Sequence, residues 1–129
     1  MTAGPRGLLL AAPASGAGKT VLALALMRAF RDRGLGVAAA KSGPDYIDPR
    51  FHEAATGGVS VNLDAWAMAP GDLRARAAAL AGDLLIVEGA MGALDGAPPD
   101  GRGSAADLAE ALGLPIVMAV DAARSAQSA

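Results

Sequence analysis

The 129-residue sequence carries 11 basic and 13 acidic side chains, a net charge of −2 and a pI near 5.2, which argues against nucleic acid or an anionic membrane surface as its main partner. It has no cysteine, so disulfides, thiolate metal sites and a cysteine nucleophile are excluded within it. No apolar run approaches the roughly 18 residues of a membrane span, and the first residues lack the basic-then-apolar pattern of a secretion signal, so a cytoplasmic protein with a thin aliphatic core is expected.

Gly7 to Ala12 reads as a first strand. It runs into Ala11-Ala12-Pro13-Ala14-Ser15-Gly16-Ala17-Gly18-Lys19-Thr20, a glycine-rich turn that opens a helix. Strand, glycine turn, Gly-Lys-Thr and helix together make a phosphate-binding P-loop. Its glycines let successive N–H groups converge on one phosphate, and the helix start adds free N–H groups and the positive dipole end. Ser15, Gly16, Ala17, Gly18, Lys19 and Thr20 are therefore the candidate nucleotide-binding residues. Lys19 would reach the β/γ-phosphates and Thr20 a Mg²⁺ ion. Pro13 stands where the common GxxxxGK[ST] spelling has its first glycine.

In the helix that follows, Leu22, Ala25, Leu26, Ala29 and Phe30 form the expected buried stripe. Arg28, Arg31 and Arg33 read as a solvated face, and Gly34 with Gly36 stops the helix. Val37 to Lys41 is expected as a second buried strand. Pro49 to Thr56 reads as a short helix capped by Asp48, and Val59 to Met68 carries no regular pattern. A helix opens at Pro70 with Leu73, Ala77 and Leu80 inward, and Asp83 to Glu88 gives a third strand ending in an acid. Met91 to Gly103 is a loop. Ser104 and Asp107 form a capping box for a helix through Leu112. Ile116 to Val120 is a fourth strand, and Ala122 to Ala129 begins another helix. Alternating strands and helices imply an α/β fold: a parallel sheet with helices on both faces, its ligands beyond the carboxyl ends of the strands. The P-loop, Lys41, Glu88 and Asp121 all fall at such ends. The expected order of the four strands is second, third, first, fourth, with the fourth an edge open to self-association; a homodimer is a candidate assembly.

Lys41-Ser42-Gly43-Pro44-Asp45-Tyr46-Ile47-Asp48-Pro49 sets a cation, two carboxylates and a phenol on one loop. Asp45 and Asp48 are candidate Mg²⁺ or substrate-orienting groups, or else a turn residue and a helix cap. Leu84-Leu85-Ile86-Val87-Glu88 has the form of a Walker B strand, with Glu88 as metal-facing acid or as a plain strand-terminal acid. Asp95 is open between turn and function. His52 reads as structural.

With these motifs in view, the sequence resembles the cobyrinic acid a,c-diamide synthase family, including its hydrogenobyrinic acid variant. The matching stretches are Ala12 to Thr20, Lys41 to His52, Asn62 to Trp66, and Glu88 to Gly92 with Asp95-Gly96. The resemblance implies a P-loop ATP-binding fold similar to dethiobiotin synthetase, followed by a glutamine amidotransferase domain that supplies ammonia. It implies ATP and Mg²⁺ as cofactors and cobyrinic or hydrogenobyrinic acid as the corrin substrate, whose a and c carboxylates are activated. Lys41, Asp45 and Asp48 become catalytic candidates, Thr20, Asp45 and Glu88 metal candidates, and Tyr46 and Ile47 corrin contacts. The absence of a cysteine nucleophile makes the chain, on this reading, the N-terminal part of a longer, sheet-completing protein. Alternatives are a dethiobiotin synthetase-like or cobyric acid synthase-like ligase. A partitioning ATPase switch is a further alternative, disfavoured because Ala14 stands where those proteins carry a second lysine.

Overall fold

A computed structural model describes residues 5–80 and 82–127. The elements are β1 (Gly7–Ala11), α1 (Lys19–Asp32), β2 (Val37–Ser42), α2 (Asp48–Thr56), β3 (Ser60–Leu63), α3 (Pro70–Ala78), β4 (Leu84–Glu88), α4 (Ala105–Leu112) and β5 (Ile116–Met118). They form a parallel sheet in the order β3-β2-β4-β1-β5. The four expected strands stand in the expected order, and β3 adds a strand outside them.

Successive residues of a strand face opposite sides of a sheet. Leu9, Ala11, Ala38, Ala40, Leu85 and Val87 therefore pack under α3 and α4, while Leu10, Val37, Ala39 and Ile86 pack under α1. Burial on both sides is why these strands read as unbroken apolar runs. β3 was not legible because Ser60-Val61-Asn62-Leu63 alternates polar with apolar over only four residues at the sheet edge. Among the described residues, no helix is long and apolar enough to cross a membrane.

Several local expectations are corrected. The inward ridge of α1 is Lys19, Ala23 and Met27, with Leu24, Leu26 and Phe30 partly buried; Leu22 is 39% exposed and Ala25 exposed. Val21 to Phe30 is apolar except at Arg28, so periodicity leaves the helix phase open. The phase follows Lys19, which is turned inward. Asp48 is the first residue of α2, not its cap, and Ile47 takes the cap position. β5 ends at Met118 rather than Val120, and residues 122–127 form turns rather than a helix, residues 128–129 lying outside the described set. The Ser104–Asp107 capping box is present, with Asp107 N–H donating to Ser104 Oγ at 3.1 Å.

The corrected phase of α1 makes opposite forecasts for two neighbouring residues. Met27→Ala is expected to cost about 2–5 kcal/mol, and Leu22→Ala less than about 1 kcal/mol. Urea unfolding of the two variants reads the difference directly; equal losses would restore the stripe through Leu22.

Candidate functional site

Lys41 and Glu88 are cross-strand partners in the parallel register of β2 and β4. By strand parity both fall on the α1/α2 side of the sheet, the side of Ala39 and Ile86. There the Lys41 ammonium is buried and gathers three carboxylates. It donates to Glu88 Oε2 in a short bond and to Asp48 Oδ2 at 2.6 Å, with Asp45 Oδ2 at 3.9 Å. Burial works against the lysine charge, but the hydrogen bonds to Asp48 and Glu88 outweigh it and hold the Lys41 pKa above its ordinary value.

Glu88 is fully buried. Its oxygens divide their partners: Oε2 takes Lys41 and the Thr20 hydroxyl at 3.3 Å, and Oε1 lies 3.2 Å from His52 Nε2. His52 Nδ1 in turn lies 3.0 Å from Ser60 Oγ. An ionised carboxylate only accepts, so Nε2 carries a proton in this pairing. Burial alone would raise the Glu88 pKa; hydrogen bonds from its neighbours, His52 first and Lys41 among them, reverse that and hold it at about 2.

Asp45 supplies the capping that Asp48 was expected to give. Its Oδ1 accepts the N–H groups of Ile47 at 2.7 Å and Asp48 at 3.0 Å, the Asx pattern that short polar side chains adopt at turns. Asp48 is thereby free to turn its carboxylate to Lys41. Asn62 Nδ2 ties down the same loop through the Asp45 carbonyl at 3.0 Å.

On the other side of Glu88 lies the glycine-rich turn. Gly18 has φ 84° and precedes the first turn of α1 with no side chain capping it, which leaves helix N–H groups open to an anion. Ser15, Gly16, Gly18, Lys19 and Thr20 line a cavity of about 420 Å³ with Lys41 and Met91; Ala17 is not among its lining residues. Lys19 Nζ donates to the Met91 carbonyl at 2.7 Å. Burial, and then the Lys41 charge, lower its pKa. A second cavity of about 610 Å³ shares Lys41 and Met91 with the first and is walled also by Asp45, Trp66, Asp95 and Arg102.

The structure thus brings together Lys19, Thr20, Lys41, Asp45, Asp48 and Glu88. Tyr46 and Ile47 stay 91% and 67% exposed, outside both cavities. Asp121 is exposed and closes its own turn, accepting the Ala123 N–H at 3.0 Å, so it does not join the cluster. Asp95 likewise accepts a local N–H, that of Gly92, at 2.8 Å, yet it also borders the larger cavity. The structural reading of His52 holds in part: it is a core residue, but one that grips a site carboxylate. Among the described residues, no set of three His, Cys, Asp or Glu side chains is arranged around a metal position.

Removing the shared cation is expected to be severe, because it leaves buried carboxylates unpaired. Lys41→Met should lose about 3–5 kcal/mol of stability, and His52→Ala about 1–3 kcal/mol by stripping Glu88 Oε1 of its donor. The lowered Glu88 pKa stabilises the fold fully above the unfolded carboxyl value of 4.5 and fades as pH falls toward about 2. Urea midpoints taken on descending pH should fall more steeply in the parent than in Glu88→Gln; equal slopes would contradict the lowered pKa.

Comparison with known proteins follows the same outline. Residues 8–123 match the family model of the CobQ/CobB/MinD/ParA nucleotide binding domain. Hydrogenobyrinate a,c-diamide synthase of Rhizobium meliloti (strain 1021) is 56% identical over 124 residues, 95% of this chain and 29% of that protein. The protein of the same name from Rhodobacter capsulatus is 54% identical over 134 residues, 100% of this chain and 31% of its own length. That from Brucella anthropi is 51% identical over 126 residues, 95% of this chain and 29% of its own. The chain therefore spans 29–31% of the length of these relatives, and the resemblance drawn from the motifs is borne out. A match that runs from the first strand to beyond the last puts the chain in the CobQ/CobB/MinD/ParA nucleotide-binding domain family.

Proposed function

We propose that the chain is the ATP-binding, carboxylate-activating part of a corrin a,c-diamide synthase acting in cobalamin biosynthesis, on cobyrinic or hydrogenobyrinic acid. The observation that carries this reading is the pair of cavities meeting at Lys41 and Met91. One is rimmed by the P-loop and the other by Asp45 and Trp66, so a nucleotide γ-phosphate and a substrate carboxylate would face each other across the Lys41 ammonium. Relatives named hydrogenobyrinate a,c-diamide synthase support the choice of substrate.

The chemistry is an amide synthesis that first turns a carboxylate oxygen into a leaving group. A carboxylate oxygen attacks the γ-phosphorus, the bond from that phosphorus to the β,γ-bridging oxygen breaks, and ADP leaves an acyl phosphate. Ammonia then attacks the acyl carbon, the C–O bond to phosphate breaks, and a proton is lost to give the amide. Two anions must be brought into line for the first step, which is an electrostatic task. Lys19 and Lys41 supply positive charge at the meeting point, Asp48 and Glu88 hold Lys41 in place, and Asp45 fixes the loop that carries the substrate side. Tyr46 and Ile47, on the exposed rim of that loop, are the proposed outer contacts of the corrin.

The donor set fits Mg²⁺. The Thr20 hydroxyl and Glu88 carboxylate are hard oxygen groups 3.3 Å apart, and three carboxylates outnumber the two ammonium groups around them. Magnesium is commonly held by one or two carboxylates with phosphates and water completing its shell, so Thr20, Glu88 and the nearby Asp45 are the residues that would hold it. When bound it would neutralise charge on the transferring phosphoryl group. The ammonia would come from glutamine through a separate amidotransferase domain.

The test uses the full-length protein with ATP, Mg²⁺, glutamine and the corrin acid. Two successive amide-for-carboxyl mass changes are expected, and heavy oxygen placed in the substrate carboxyl should appear in the released phosphate. A protein that binds ATP but leaves the corrin unaltered overturns the reading, and label retained wholly in the corrin overturns the acyl phosphate. Asp48→Asn is expected to lower kcat by about 10²–10³-fold with little change in ATP binding, measured by equilibrium titration.

A further inference from the structure

The larger cavity presents an electrostatic problem. Asp45, Asp64 and Asp95 all border it, and its cation Lys41 is already engaged by three carboxylates. A metal and Lys41 at the meeting point would serve the reacting carboxylate. The other carboxylates of a polyanionic substrate would meet more repulsion than attraction unless a further positive charge stood elsewhere on the wall. Asp64 and Asp95 are both committed to turns. Asp64 Oδ1 accepts the Trp66 and Ala67 N–H groups at 2.9 and 3.2 Å, and Asp95 Oδ2 that of Gly92.

Arg102 is the other cation on the wall. Its side chain is exposed and, among the described residues, forms no hydrogen bond or ion pair, whereas its backbone is held on every side. Arg102 O accepts the Ala97 N–H at 2.8 Å and Ala97 O that of Gly101 at 2.8 Å. Arg102 N–H donates to Asp100 Oδ1 at 3.2 Å, and Gly103 N–H to Asp107 Oδ2 at 2.8 Å. The flanking glycines allow this packing: a Cβ at Gly96 would collide with the Gly101 carbonyl, and one at Gly103 would stand 2.5 Å from Trp66 Cβ. Gly103 thus presses the arginine-bearing loop against Trp66, which is 59% exposed and borders the same cavity. An uncommitted guanidinium carried on a fixed backbone can receive a carboxylate, since the guanidinium fork matches a carboxylate in two parallel hydrogen bonds.

We propose that Arg102 is a specificity-determining residue of this cavity: it holds a peripheral carboxylate of a polycarboxylate substrate, one other than the carboxylate being converted, with Trp66 as the adjoining apolar wall. The assignment rests on the reading that the larger cavity receives the acyl substrate, and it adds a second anchoring point remote from Lys41. Two anchors fix a large planar acid in rotation as well as position, which one cation cannot do.

The test compares parent, Arg102→Met and Arg102→Lys in the full-length protein. Arg102→Met should raise KM for the corrin acid about 10- to 100-fold, the loss expected for a charge-assisted hydrogen bond, with KM for ATP and kcat changed less than about threefold. Arg102→Lys should recover part of the loss, and the salt dependence of KM should weaken in Arg102→Met. Equilibrium binding of the corrin acid without nucleotide, followed by its visible absorption, should weaken by the same factor. Unchanged corrin binding and KM in Arg102→Met overturn the assignment, as does a fall in kcat at unchanged KM. A parent protein that amidates no corrin acid overturns instead the parent reading, and the assignment falls with it.

Discussion

One ammonium group serving three carboxylates is the constraint on which the rest of the site depends. Lys41 is buried, and a buried lysine is costly unless paired; here Asp48, Glu88 and, more distantly, Asp45 surround it. Each acid comes from a different place in the fold. Glu88 ends β4, Asp48 opens α2, and Asp45 lies in the loop between β2 and α2. The ion cluster therefore ties a sheet strand, a helix and a loop together, and none of the three can move far without exposing an unpaired charge.

Around this cluster the two sides of the site are built by different means. The phosphate side is made of backbone: an uncapped helix start, glycines and the Met91 carbonyl that receives Lys19. The side of the larger cavity is made of residues at the end of β2 and on loops, from Lys41 to Asp45, at Trp66 and from Met91 to Arg102. Backbone recognition suits a ligand part common to many proteins, whereas loop-borne side chains suit one particular to this chain. His52 and Ser60 stand behind both, orienting Glu88 from the core.

Much of this was legible in the residues. β1, β2 and β4 showed themselves because a strand buried on both faces must be apolar throughout. β5 showed itself by its apolar run although its residues are exposed, and the P-loop announced itself by order and spacing. What escaped had physical reasons. The phase of α1 was hidden because nearly every residue from Val21 to Phe30 is apolar, and the inward ridge is set by Lys19. The exchange of duties between Asp45 and Asp48 could not be read from spacing, since either acid can cap a helix; the ammonium of Lys41 decides which one does. The His52–Glu88 contact joins residues 36 apart, and only the laying of α2 over β2 and β3, beside β4, creates it. Trp66 and Arg102 become neighbours of one cavity for the same reason, through a chain path no local pattern encodes.

The pairing of Lys41 with Glu88 has a consequence for how the chain tolerates change in length. Side chains alternate across a strand, so inserting or deleting one residue between Gly82 and Glu88 would turn the whole of β4 over. Glu88 would then point among Leu108, Ala109 and Leu112 beneath α4, and Val87 or its neighbour would face Lys41. A single reading-frame-preserving codon gained or lost there would bury an acid in hydrocarbon and strand a lysine at once. The same change in residues 97–101 would leave no acid in hydrocarbon, though it would shift the backbone that carries Arg102. Length variation among related chains should accordingly collect in loops outside the two cavities and be absent from the stretch that carries Glu88.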